Sequence, residues 1–408
     1  MQADHHKLDQ VPAGAAGRIA SLDIIRGAVM VLMALDHVRV YSGLPAGGPS
    51  PGLFFTRWVT NFCAPAFIFF AGTSAFLYGR KHPGLARFLL TRGAWLVFLE
   101  LTVIRIAWAF NLDFSHYLLA GVIWAIGWCM ILLAGLVRLP IRVVGAIGLV
   151  IVAGHDLVDP WFWQVATAVR EGGAGWLGTI LYFGFWTGPV HLGPGGPEFQ
   201  VLYSIIPWVG VMAAGYAFGA VMVMEPARRN RLCLQIGLSA AVLFLLLRGW
   251  NLYGDPFPWT EALHPSDGRP PMPAILAFLN TNKYPASLLF LLMTLGPTIA
   301  LIPALERARG PVARWLTVFG RVPMFFYLLH IPLIHALAVG VSVVRSPADT
   351  AWLFTNHPMA NPAPPAGYTW SLGMLYFWWG VAVGVLYLPC RWFARVKAES
   401  RSSWLSYL

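Results

Sequence analysis

Histidine is the side chain best suited to moving protons near neutral pH. This chain sets one inside an apolar run and beside an acid, in Met33-Ala-Leu-Asp36-His37-Val-Arg39. The same run opens with Ser21-Leu-Asp23-Ile-Ile-Arg26-Gly27. At about 100° per residue, Asp23, Arg26, Met30, Met33, His37 and Tyr41 fall on one stripe of a helix. Arg26 and His37 then stand roughly 16 Å apart along the axis, at about 1.5 Å per residue. A long ligand lying along the stripe would place an anionic part near Arg26 and a reactive end near His37. The plainer reading is that Asp23 and Arg26, three residues apart, pair with each other, and that His37 is a hydrogen-bonded structural residue. Adjacent helical residues project about 100° apart, so the spacing leaves open whether Asp36 serves His37 or another partner.

A second polar group in an apolar stretch is His330, in Gly320-Arg321-Val-Pro323 through Tyr327-Leu-Leu-His330-Ile-Pro332 to His335. His330 and His335 point about 140° apart on a helix and do not share a site. His330 reads equally as a functional group or as a buried structural one. Asn61 and Cys63 interrupt another apolar stretch, and Glu100 and Arg105 a third; five residues apart, those two each need a partner on another helix. Lys283, in Asn280-Thr-Asn282-Lys283-Tyr284, reads as a cation snorkelling to a membrane interface, with a substrate-facing cation as the alternative. There is no Gly-rich phosphate loop, H-E-x-x-H, CxxC or G-x-S-x-G signature. His5-His6 is a weak metal signal, and no metal cofactor is expected.

Such residues need elements to hold them, and composition limits what those are. The 408 residues are 58% hydrophobic and only 11% charged, with mean hydropathy +0.64. Soluble domains carry roughly 25% charged residues, so a soluble enzyme, a disordered chain and a coiled coil are all excluded. The expected fold is all-α: a polytopic transmembrane bundle of about ten helices, at about 20 apolar residues per span. The candidate spans are 24–43, 58–78, 88–110, 116–137, 140–157, 201–223, 231–249, 285–304, 320–343 and 370–392. The fifth is Gly-rich and the weakest. Residues 158–200 and 250–284, rich in Trp, Pro and Gly, read as interfacial connections, with a short helix over 161–169. Ten spans with the N-terminus inside place on one face all of the 28 basic residues except Arg39, Arg57, Arg105, Arg170, Arg248, Arg269, Lys283 and Arg345. That asymmetry supports an N-in/C-in topology, with a polar tail at 1–18, a membrane domain at 19–395 and a second tail at 396–408. The net charge of +11 is therefore read as topology, since the basic residues are dispersed rather than gathered in a nucleic-acid-binding patch. The four cysteines are expected to be free thiols.

Arg18-Ile-Ala-Ser-Leu-Asp23-Ile-Ile-Arg26-Gly27 with Met33-Ala-Leu-Asp36-His37 resembles the opening of the heparan-α-glucosaminide N-acetyltransferase catalytic-domain family, part of the wider group of transmembrane acyltransferases. Phe62-Cys63-Ala64-Pro65, Ala71-Gly72-Thr73-Ser74, Tyr253-Gly254-Asp255-Pro256, Asn282-Lys283-Tyr284-Pro285, Phe319-Gly320-Arg321-Val322-Pro323 and the closing Trp404-Leu-Ser-Tyr-Leu408 are similar to its bacterial members. The resemblance runs through nearly the whole chain after residue 18. It implies transfer of an acetyl group from cytosolic acetyl-CoA to a sugar or other acceptor across the membrane, assisted by a histidine. In the eukaryotic enzyme that histidine follows the first span. Here no histidine occurs between His37 and His82, so the role falls to His37, oriented by Asp36 or Asn61, with His330 as a second polar group in the site. Bacterial members often carry a histidine where this chain has Asn61. Asp23, Arg26 and Arg321 are the implied contacts of the CoA end. The implied setting is the bacterial inner membrane, with membrane lipid, an acyl-CoA donor and an envelope glycan or small-molecule acceptor as partners; self-association is compatible with it. The alternative is a transporter or exporter of a lipid or glycan, in which the same stripe lines a pathway.

Overall fold

The computed structural model describes residues 19–358 and 362–400. The expected tail at 1–18, the last residues of the expected C-terminal tail and the closing Trp404–Leu408 motif lie outside the described residues. A helix lies over each of the ten candidate spans. Six helices are long and apolar enough to cross a membrane: Pro51–Gly79, Ile141–Glu171, Pro226–Gly249, Leu288–Arg307, Pro323–Arg345 and Leu372–Glu399. Val122–Leu136 and Ile206–Met222 are apolar but shorter. The two that remain are Ala20–Tyr41 and the helix over 85–109, which carry the charged residues singled out above. Apolarity alone thus passes over the first helix, which carries Asp23, Arg26, Asp36 and His37.

Sequence punctuation sets the boundaries. Pro226 and Pro323 stand in the first turn of their helices, where a missing N–H costs nothing. The side chains of Ser287 and Ser371 accept from Phe290 N and Met374 N as N-caps, which satisfies one of the orphan donors at each start. Val322 separates Pro311–Arg321 from Pro323–Arg345, so the ninth candidate span is a broken helix. Pro332, in contrast, sits inside a helix that continues past it.

Ala20–Tyr41 lies at the centre. It packs against Cys63–Gly79, Pro311–Arg321, Pro323–Arg345 and Leu372–Glu399. The outer helices leave large apolar side chains exposed, with Val150, Leu245, Phe377 and Leu388 more than half accessible. Contact with Pro311–Arg321 depends on two glycines. A β-carbon on Gly27 would strike the backbone of Leu316, and one on Gly320 the carbonyl of Asp23. Close backbone approach of this kind is what small residues permit in membrane bundles. Gly320→Ala is therefore expected to lower the melting temperature in detergent, by a destabilisation of about 1–3 kcal/mol; an unchanged melting curve would show that the two helices can part freely.

The all-α expectation needs one correction. Three short strands form a sheet in the order β1 (Tyr117–Ala120), β3 (Glu198–Val201), β2 (Val190–His191). β1 runs parallel to β3 with Tyr117 opposite Glu198, and β2 is antiparallel to it. The apolar run of β1 was read as the start of the span 116–137. A four-residue apolar stretch carries no period that separates strand from helix. The helix begins at Val122 instead, and likewise at Ile206 rather than 201. The sheet matters to the site, because β1 leads into Val122 and β3 leads to Tyr203.

Candidate active site

The stripe on Ala20–Tyr41 is only partly the polar track that spacing predicted. Asp23 is buried, its Oδ1 is 3.7 Å from Arg26 Nη1, and Gly320 packs on its backbone. It therefore sits at the packed contact between the two helices. Arg26 donates to Ser74 Oγ and, at 3.3 Å, to the Phe70 carbonyl. It also lines a cavity of about 340 Å³, together with Arg92, Arg321 and Lys397. The walls of this funnel are otherwise largely apolar, including Met30, Leu96, Ile126 and Met324. Arg92 and Lys397 were not among the sequence candidates, because each reads there as an ordinary topology charge.

Phe67 and Val122 line both the funnel and a second, small cavity of about 30 Å³. That volume is room for roughly two or three heavy atoms. His37, Asp36, Cys63, Thr60, Tyr203 and Lys283 face it. His37 Nδ1 lies 2.6 Å from His330 Nε2. His330 Nδ1 in turn lies 2.7 Å from the Tyr327 carbonyl and 3.2 Å from that of Phe326, on its own helix. A carbonyl can only accept, so His330 Nδ1 carries a proton. With both rings neutral, His330 Nε2 accepts from His37 Nδ1–H, and the lone pair of His37 is on Nε2. Hydrogen-bond logic thus leaves His37 Nε2 unprotonated, with its tautomer fixed by a second histidine. His330 is fully buried behind it. Trp108 packs edge-on against His37, with ring centroids 4.7 Å apart. His335 is elsewhere, its two ring nitrogens 3.1 and 2.8 Å from the carbonyls of Ala107 and Leu353.

Neither residue expected to orient His37 bonds to it. Asp36 Oδ1 accepts from Arg39 Nε at 2.9 Å, and Oδ2 from Arg57 Nη1 at 3.0 Å. Arg57 also reaches Thr60 Oγ1 at 3.1 Å and the Tyr284 hydroxyl at 3.5 Å. One carboxylate thus neutralises one of two guanidinium groups. Asn61 lines a third cavity, of about 860 Å³, on the far side of Arg57. Its walls carry Trp58, Trp163, Trp186 and Trp259 beside Asn280 and Asn282.

Of the two sequence readings of Lys283, the structure disfavours snorkelling: the residue is 8% exposed and faces the small cavity. Burial first, and then the like charge of Arg57, hold its ammonium below the usual lysine value. The segment carrying it is strapped from several sides. Asp255 accepts from Asn282 N at 2.8 Å and from Ser287 Oγ at 3.3 Å. Trp186 Nε1 donates to the Tyr284 carbonyl, and Asp156 accepts from Leu288 N at 2.6 Å. Burial pushes the Asp255 carboxyl up to about 6, against the opposing pull of Arg248 3.7 Å away. Contact at this range is invisible in a single sequence, where Asp255 and Asn282 lie 27 positions apart.

Glu100 and Arg105 resolve as structural. Glu100 Oε2 accepts from Ile123 N at 3.0 Å and Trp124 N at 3.2 Å, capping the helix that starts at Val122. Arg105 is fully buried and donates to the carbonyls of Asn111, Asp113 and Tyr117. All four cysteines are free and buried. Among the described residues, no group of three or more His, Cys, Asp or Glu side chains is placed to hold a metal ion.

A family model described as heparan-alpha-glucosaminide N-acetyltransferase, catalytic, matches residues 18–253. The matched stretch holds Arg26, Asp36, His37, Arg57 and Cys63; Lys283, Arg321 and His330 lie beyond it. No curated protein matches the chain at a significant level.

Proposed function

We propose, from the premise that this chain belongs to the heparan-alpha-glucosaminide N-acetyltransferase catalytic family, that it carries an acetyl group from acetyl-CoA at one end of the bundle to an acceptor at the other. In this reading all ten helices cross a bacterial inner membrane. Both termini and the Arg26 end of the first helix face the cytoplasm, in line with the basic-residue asymmetry. The observation that supports it is the meeting of funnel and small cavity at Phe67 and Val122, with His37 just beyond. Arg26, Arg92, Arg321 and Lys397 offer cations to the CoA phosphates. The apolar walls suit the pantetheine arm, and the small cavity takes the acetyl group. The acceptor, an envelope sugar or another amine or alcohol, enters through the Trp-lined vestibule; aromatic faces there suit a sugar ring, and lipid surrounds the rest.

The chemistry follows from the tautomer. The acceptor amine or hydroxyl attacks the thioester carbonyl carbon, and its proton passes to His37 Nε2. The imidazolium keeps its hydrogen bond to His330 Nε2. The carbonyl oxygen becomes an oxyanion. When the adduct collapses, the C–S bond breaks, the thiolate takes the proton from His37, and CoA leaves through the funnel. General-base assistance of this kind contributes about 10²–10⁴-fold. A cavity of about 30 Å³ also limits the acyl group, so turnover is expected to fall at least tenfold from acetyl- to butyryl-CoA.

Purified protein in lipid nanodiscs, given acetyl-CoA and an envelope glycan fraction, is expected to release CoA thiol only when both are present. Glycan movement across vesicles with no acyl-CoA consumed would replace this reading with transport.

A further inference from the structure

We propose that the Lys283 ammonium is the oxyanion-stabilising group of this acyl transfer, a catalytic residue that lines the same small cavity as His37. The inference rests on the acetyltransferase reading and adds a second catalytic group to it.

Three observations carry it. Lys283 is buried and faces the same small cavity as His37. Among the described residues its Nζ makes no hydrogen bond or ion pair, and its one recorded contact is with the face of the Tyr284 ring, 5.3 Å to the centroid. The acid nearest to hand, Asp36, is already shared between Arg39 and Arg57, so the cavity carries an excess of positive charge. An unpaired buried cation is among the costliest features a fold can hold. Here the fold goes further and fixes it, through Asp255, Asp156 and Trp186 on the segment 282–288. Negative charge that develops only during reaction is the partner such a group awaits. A preorganised cation in a site closed to water stabilises it without reorganisation. Cys63 faces the same cavity, but its Sγ–H is engaged with the Val29 carbonyl at 3.2 Å.

The step is balanced as follows. As the acceptor bonds to the carbonyl carbon, the π-electron pair moves to oxygen, and the Lys283 ammonium holds that oxygen while keeping its proton. When the C–S bond breaks, the pair returns to the carbonyl and Lys283 is unchanged.

The test compares Lys283→Met, Lys283→Arg and Lys283→Ala with wild type in nanodiscs, using acetyl-CoA and the glycan fraction. Lys283→Met is expected to lower kcat about 10²–10³-fold, with the donor KM near wild type and the melting temperature at or above it. Lys283→Arg keeps the charge and is expected to retain at least tenfold more turnover than Lys283→Met. Ethylammonium is expected to raise kcat of Lys283→Ala in proportion to its concentration. A role as proton acceptor would leave Lys283→Arg as impaired as Lys283→Met, because a guanidinium does not deprotonate. A packing role would show as a lowered melting temperature with no amine rescue. Either result, or a Lys283→Met turnover within threefold of wild type, overturns the proposal. Wild type run beside the variants separates the two readings: if it transfers no acetyl group, the acetyltransferase reading fails first.

Discussion

Replacing His37 with glutamine is expected to lower acetyl turnover by about 10²–10⁴-fold while leaving the donor KM within about twofold. Glutamine can still donate to His330 Nε2, so the 2.6 Å contact has a substitute and the packing against Trp108 is largely kept. What it cannot do is accept the acceptor's proton and return it to the thiolate. The loss belongs in kcat, because the funnel cations proposed to meet the donor are untouched. His330→Gln is the informative companion. It removes the acceptor that fixes the His37 tautomer but not the base itself, so its deficit should be smaller than that of His37→Gln. Stopped-time assays of CoA release over a range of acetyl-CoA concentrations would measure both. Full turnover in His37→Gln would remove His37 from the chemistry.

Asp36→Asn is expected to act on folding as much as on turnover. The carboxylate is the shared acceptor of Arg39 and Arg57, at 2.9 and 3.0 Å. Asparagine keeps the shape and removes the charge, leaving two guanidinium groups and Lys283 with no anion among them. Neutralising one partner of these partly buried ion pairs is expected to cost about 1–3 kcal/mol, less than for a fully buried pair. A fall in melting temperature and in the yield of monodisperse protein should follow. Adding Arg39→Gln to Asp36→Asn removes one of the stranded charges and is expected to recover a measurable part of the loss. A double variant no more stable than the single would show that the charges are not coupled through Asp36.

The sequence carried the helical bundle and singled out His37, because both depend on local signals: the length of apolar runs, and an ionisable group where apolar residues surround it. His330 was singled out for the same reason, yet its role was not legible. The pairing joins residues 293 positions apart, and its tautomer logic depends on a carbonyl three residues back. Asp36 and Asn61 were drawn toward His37 by proximity in sequence. In space Asp36 turns to two arginines, one of them on the next helix, and Asn61 faces the Trp-lined cavity. Snorkelling was the first reading of Lys283 because a lysine near the end of an apolar run usually does so. The straps from Asp255, Asp156 and Trp186 that hold its segment in place are long-range. The small sheet was missed because four apolar residues fit a strand or a helix end alike.

The claim at the centre is that one protein passes an acetyl group from a donor at its cationic end to an acceptor at its aromatic end. Sealed proteoliposomes of known orientation test it directly. Radiolabelled acetyl-CoA is supplied only on the Arg26 side, and a glycan acceptor only on the Trp-lined side. The account predicts labelled acceptor on the far side, CoA released on the near side, and neither product when donor and acceptor are exchanged. Equal labelling in both arrangements, or label reaching the acceptor in vesicles that lack the protein, would contradict it.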